Sequence, residues 1–126
     1  MILVRRERLR LDKLNSKIKI ALISDLHLKD EKSKKRLDLA IKKINKRKVN
    51  LIFLLGDYFF DNEINLHDLN VLSRLKAKNG MFAVLGNHDY GMEYRSSKRD
   101  SKMSKSIVKK LKDLNINVII NDSRIV

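Results

Sequence analysis

An α/β fold built on a largely parallel sheet is what this sequence predicts, and three observations predict it. Residues 20–23, 51–55 and 81–85 are short, wholly apolar runs of the kind that form buried strands. Amphipathic helical patterns lie between them. The runs recur about 30 residues apart, the length of one strand–helix–strand unit. Each run stops at polar residues able to bind metal: Asp25-Leu26-His27, Gly56-Asp57 and Gly86-Asn87-His88-Asp89.

Taken in order, residues 2–11 mix aliphatic side chains with Arg5, Arg6, Arg8 and Arg10 and read as an edge strand whose charges protect it. Residues 12–17 read as a turn, and 18–24 as a strand covered on both faces. Leu37, Ala40, Ile41 and Ile44 fall at i, i+3, i+4 and i+7, one face of a helix, with Ser33 the expected N-cap. After the strand at 51–55, Leu66, Leu69, Leu72 and Leu75 mark a second helix, expected to stop at Asn79-Gly80. The third strand, 81–85, is followed by a Ser/Lys-rich loop at 95–105. A third helix then carries Ile107, Val108, Leu111 and Leu114, and residues 118–120 form a fourth strand.

The 126 residues fit one domain, with no stretch that reads as a linker. Apolar runs are far shorter than the roughly 18 residues of a membrane span. Arg5-Arg6 is not followed by an apolar core, so it is not read as an export signal. The absence of cysteine excludes disulfide scaffolds and thiolate metal sites. The net charge of +14 raises nucleic acid, anionic membrane or a phosphorylated substrate as partners. It is concentrated near the start, with 17 Lys+Arg against 6 Asp+Glu in residues 1–50. Aromatic residues are only 6% and no nucleic-acid-binding motif occurs, so a basic nucleic-acid module is the remote alternative.

Right-handed crossovers bring the carboxyl ends of consecutive parallel strands to one sheet edge, where open α/β sheets bind ligands. Asp25, His27, Asp57, Asn87, His88 and Asp89 are therefore expected to converge. Oxygen and nitrogen donors without sulfur suit Mn²⁺, Zn²⁺ or iron, and imidazoles argue against a pure Mg²⁺ or Ca²⁺ site. Asp25 and His27, two apart on extended backbone, can turn to one side. Asp57, at the tip of the neighbouring strand, can give an oxygen to each of two ions. Gly56 and Gly86 allow the sharp turn and close approach such a site needs. His67 lacks this context and reads as a surface histidine.

The three motifs, in this order, resemble the first three of the calcineurin-like metallophosphoesterase family. The strings Ile23-Ser-Asp-Leu-His-Leu28 and Ala83-Val-Leu-Gly-Asn-His-Asp-Tyr-Gly91 are most similar to its bacterial branch of UDP-2,3-diacylglucosamine hydrolase-like phosphodiesterases, of lipid A synthesis. The resemblance runs from about residue 17 onward. It implies a metallophosphoesterase α/β sandwich of which residues 1–126 form the N-terminal half, and hydrolysis of a phosphodiester or pyrophosphate by a two-metal site with metal-bound hydroxide. By position, Asp25 and His27 would hold the first ion, Asp57 would bridge, and Asn87 would hold the second. His88 would contact the phosphate and assist the leaving group without ligating metal, and Asp89 would orient its ring.

This sequence departs from the family after His88, where no further histidine follows, although the family completes its site with a later Gly-His-x-His motif. The second expectation is therefore a truncated or split remnant, inactive until a companion chain or self-association supplies what is missing. Half a sandwich would expose apolar surface. The substrate expected is a phosphate ester, lipid-linked in the branch it resembles. The expected location is cytoplasmic, either free or peripheral to the inner membrane through the arginine arm.

Overall fold

Four short parallel strands lie side by side in chain order in this computed structural model, which describes residues 3–60, 64–91 and 101–125. They are β1 (Ile20–Ile23), β2 (Leu51–Leu54), β3 (Gly80–Ala83) and β4 (Asn117–Val118). Register pairs Ile20 with Leu51, Leu51 with Gly80, and Phe82 with Asn117. Helix α1 (Glu31–Asn45) joins β1 to β2, a 3-10 helix (Leu66–Arg74) joins β2 to β3, and α2 (Ser101–Asp113) precedes β4.

Strict sequential order has a consequence for coverage. Each right-handed crossover lays its helix on the same side of the sheet. One core results, in which Ile52, Leu54 and Ala83 pack with Leu37 and Ile41 of α1, Leu69 and Leu72 of the 3-10 helix, and Ile107 and Leu111 of α2. The opposite face carries Ile20, Leu22, Leu55 and Val84, exposed by 50%, 67%, 44% and 36%. The sheet is thus covered on one face, which corrects the expectation that the strand at 18–24 is buried on both. Phe53 and Phe82 lie ring against ring on this second face, centroids 5.7 Å apart.

Several local expectations are corrected. Residues 3–11 form no strand and are exposed throughout. Helix α1 is capped by Asp30, not Ser33. The Asp30 carboxylate accepts the Ser33 N–H at 2.7 Å, and the Ser33 hydroxyl oxygen accepts the Asp30 N–H at 3.1 Å, a reciprocal capping box. Ser33 sits at the third helical position, where it is buried.

The second helix is a 3-10 helix nine residues long, well beyond the usual three or four. Its leucines explain it. Leu66, Leu69, Leu72 and Leu75 are three apart, and only at three residues per turn do they form one straight row. Leu69, Leu72 and Leu75 are buried. The helix ends before Leu75, so Asn79-Gly80 does not stop it; Gly80 opens β3 instead. Residues 101–105, expected in a loop, belong to α2; residues 95–100 of that loop lie outside the described residues.

Candidate metal centre

Strand pairing continues past β1 and β2 into the loops that carry the site. The N–H groups of Asp25, His27 and Leu28 donate to the carbonyls of Gly56, Asp57 and Tyr58 at 3.2, 3.0 and 2.9 Å. Between these bonds Asp25, His27 and Asp57 all adopt left-handed backbone, with φ of 54°, 44° and 56°. That region is uncommon for residues other than glycine and carries a conformational cost. Three candidate ligands sharing it marks a backbone bent to aim side chains.

The third loop is drawn in by two carboxylates. Asp57 Oδ1 accepts the His88 N–H at 3.0 Å. Asp89 is fully buried and accepts three backbone N–H groups, from Asp57 at 2.8 Å, Tyr58 at 2.9 Å and Gly86 at 2.9 Å. Burial pushes the Asp89 carboxyl above its ordinary value, against the pull of these three donors. The Tyr58 hydroxyl, donating to the Val84 carbonyl at 3.1 Å, is likewise pushed up by burial.

The two glycines permit this approach. A Cβ on Gly86 would stand 2.1 Å from Asp57 Oδ1, and one on Gly56 would stand 2.2 Å from the Gly86 nitrogen, where φ at Gly56 is already 87°. Any side chain at either position would drive the loops apart.

His27, Asp57 and His88 each offer a ligand atom, and those atoms lie within 4.8 Å of one another. Two imidazoles and a carboxylate make a donor set suited to a borderline divalent transition ion. The Nδ1 of His27 is buried with no hydrogen-bond partner among the described residues. An unpartnered imidazole nitrogen on a residue grouped with a carboxylate and a second imidazole fits a cation site.

Asp25 stays near, its Oδ1 3.6 Å from His27 Nε2, but it is more exposed and outside the three-residue group. Asn87 is exposed and starts the turn that carries His88. The structure brings His88 into ligand range of His27 and Asp57, where the resemblance gave it no metal. The His88 ring meets the backbone carbonyl of Phe60 through Nδ1 at 3.2 Å, while the Asp89 carboxylate, expected to orient that ring, accepts backbone N–H groups instead. His67 is exposed, as expected. Sequence reasoning overlooked Phe60. Its signal was the aromatic run Tyr58-Phe59-Phe60, whose last member stays exposed directly after a strand-end carboxylate.

The sequence profile of the calcineurin-like phosphoesterase family matches residues 18–126. The chain belongs to that family. Among its relatives in this family are an uncharacterized metallophosphoesterase of Helicobacter pylori (strain ATCC 700392 / 26695), 32% identical over 81 residues, and YkoQ, an uncharacterized metallophosphoesterase of Bacillus subtilis (strain 168), 38% identical over 88 residues. These alignments take in 64% and 66% of this chain but only 22% and 31% of the relatives. The chain spans about a fifth to a third of the length of the curated relatives it matches. The fold is similar to the solved phosphopantetheinyl hydrolase PptH of Mycobacterium tuberculosis, with a TM-score of 0.51 and 15% identity over 83% of this chain and 36% of that one. Among the described residues no helix is long and apolar enough to cross a membrane.

Proposed function

We propose that this chain carries the first part of a metal-dependent phosphoesterase site, acting on a phosphodiester or pyrophosphate. The observation that carries this is the meeting of His27, Asp57 and His88 within 4.8 Å, at the ends of three strands of a calcineurin-like domain. His27, Asp57 and His88 are the residues that would hold an ion, with Asp25 and Asn87 at the margin. Two divalent ions, Mn²⁺, Zn²⁺ or iron, would polarise the phosphoryl oxygens and clamp the attacking and leaving oxygens. A protonated imidazole near the phosphate can pass a proton to the departing oxygen, the role His88 would take where it holds no ion. Lys29, at the rim, adds positive charge toward an anionic substrate.

The finer reading, a UDP-2,3-diacylglucosamine-like lipid-linked pyrophosphate handled at the inner membrane surface, is supported by the likeness of residues 23–28 and 83–91 and by the exposed arginine arm at 5–10. A second reading is favoured by the bare sheet face: the chain works only when further polypeptide, or another copy, covers Ile20, Leu22, Leu55 and Val84.

Hydrolysis of a chromogenic phosphodiester by the chain with Mn²⁺, beside Asp57→Asn, tests the first reading. Activity abolished in the variant supports it. Equal rates in both proteins would overturn it, and activity only above a threshold protein concentration would favour the second.

A further inference from the structure

Phe60 supplies no ligand, yet it touches both histidines of the site. Its ring meets His27 edge-on with centroids 5.5 Å apart, and lies nearly parallel to His88 at 6.0 Å with 20° between the planes. The Lys29 ammonium sits 4.4 Å from the same ring's centroid. The two imidazoles in turn meet edge to face, 4.9 Å apart at 87°. Its backbone is held by the residues that precede it. The preceding residues Tyr58 and Phe59 are buried, and Phe59 is bridged to Leu28.

The Phe60 carbonyl is 3.2 Å from His88 Nδ1. A carbonyl oxygen only accepts, so this bond requires the proton on Nδ1. A neutral imidazole has one such proton, which leaves the lone pair on Nε2.

Resting on the metal-site reading above, we propose that Phe60 is the positioning residue of this centre. Its carbonyl fixes His88 as the Nδ1–H tautomer and makes Nε2 the nitrogen offered to an ion. Its ring holds His27 and His88 at their mutual angle. Histidines that bind metal commonly donate their other N–H to a carbonyl or carboxylate, and loss of that partner typically costs about 10–100-fold in affinity.

The test begins with the metal-free chain labelled with ¹⁵N-histidine, at a pH where imidazole is neutral. Long-range ¹H–¹⁵N correlation reads the tautomer of His88, with exposed His67 as internal reference. Dominant Nδ1–H at His88 is expected; dominant Nε2–H overturns the proposal. Zn²⁺ affinity is then titrated for Phe60→Ala and Phe60→Tyr. The alanine variant keeps the backbone carbonyl and removes only the ring, so the Nδ1–H tautomer is expected to persist while Zn²⁺ binds about tenfold more weakly, with tyrosine restoring affinity. Zn²⁺ affinity unchanged in Phe60→Ala would overturn it as well. If that variant does not fold, the wild-type tautomer and Phe60→Leu decide on the same criteria. A chain that hydrolyses nothing but shows Nδ1–H at His88 defeats the hydrolase reading and supports this one, whereas an active chain with Nε2–H does the reverse.

Discussion

The Asp89 carboxylate accepts the Tyr58 backbone N–H at 2.9 Å, a bond between residues that leave adjacent strands. The same carboxylate also takes the N–H groups of Asp57 and Gly86, so one buried side chain closes two loops around the metal centre. The third loop, with His27, joins through backbone bonds to Asp57. Geometry at the ligands therefore depends on a residue that does not itself face them.

Replacing Asp89 by alanine strands three N–H donors in the interior, each costing about 1–3 kcal/mol. A loss of at least about 3 kcal/mol is expected in urea unfolding. Asp89→Asn keeps one acceptor oxygen and is expected to fall between. Wild-type stability in Asp89→Ala would show that the loops hold without this tie.

Gly86→Ala places a methyl group into the Asp57 carboxylate, where only 2.1 Å is available. The loop must retreat, at a cost of about 1–3 kcal/mol. Mn²⁺ or Zn²⁺ affinity, read by calorimetry, is expected to fall at least as far as in Asp57→Asn. Unaltered affinity would mean that the close approach of these two loops is irrelevant to binding.

Acid should loosen α1 through Asp30. The Ser33 backbone N–H and hydroxyl hold the Asp30 carboxyl below its ordinary 3.8. A carboxyl lowered by folding stabilises above its ordinary value, and that contribution disappears as pH falls through the folded value. Asp38, lowered by the Lys42 hydrogen bond and by Arg74 of the 3-10 helix, acts in the same window. Asp30→Asn retains a cap acceptor that does not titrate. Thermal unfolding at pH 7 and near pH 3 is expected to show a smaller acid loss in this variant than in the wild type.

The two faces of the sheet should respond very differently to loss of an apolar side chain. Leu22, 67% exposed on the bare face, is expected to accept threonine within about 0.5 kcal/mol. Self-association in sedimentation should weaken at the same time. Ile52, one strand away on the core face and fully buried, should lose about 2–5 kcal/mol as Ile52→Ala. A large stability loss in Leu22→Thr would show that the face is covered in solution.

Local chemistry was enough to place the strands and the site. Apolar runs ending at Ile23, Leu55 and Leu85 locate β1, β2 and β3, and strand-to-strand spacing implies parallel order. The acids and imidazoles after those runs could be named because one carboxyl edge collects every loop that follows a parallel strand. Even the 3-10 helix was written in the leucine spacing, which has period three and not 3.6. Asp30, three residues before Ser33, already had the spacing of a capping box.

Sequence by itself therefore determined where β1, β2 and β3 run, that helices lie between them, and which polar groups stand at strand ends, since these follow from side-chain period and backbone preference along the chain; it misplaced the edge strand at 2–11 and the start of α2. Tertiary structure alone decided that α1, the 3-10 helix at Leu66–Arg74 and α2 fall on one face, because that depends on the spatial order of four strands and the hand of their crossovers. It also decided that Asp89 serves backbone N–H groups from two loops and that the Phe60 carbonyl meets His88. Hydrogen bonds between residues some 30 positions apart leave no period in the sequence, so only the folded chain reveals which donors a buried acceptor meets.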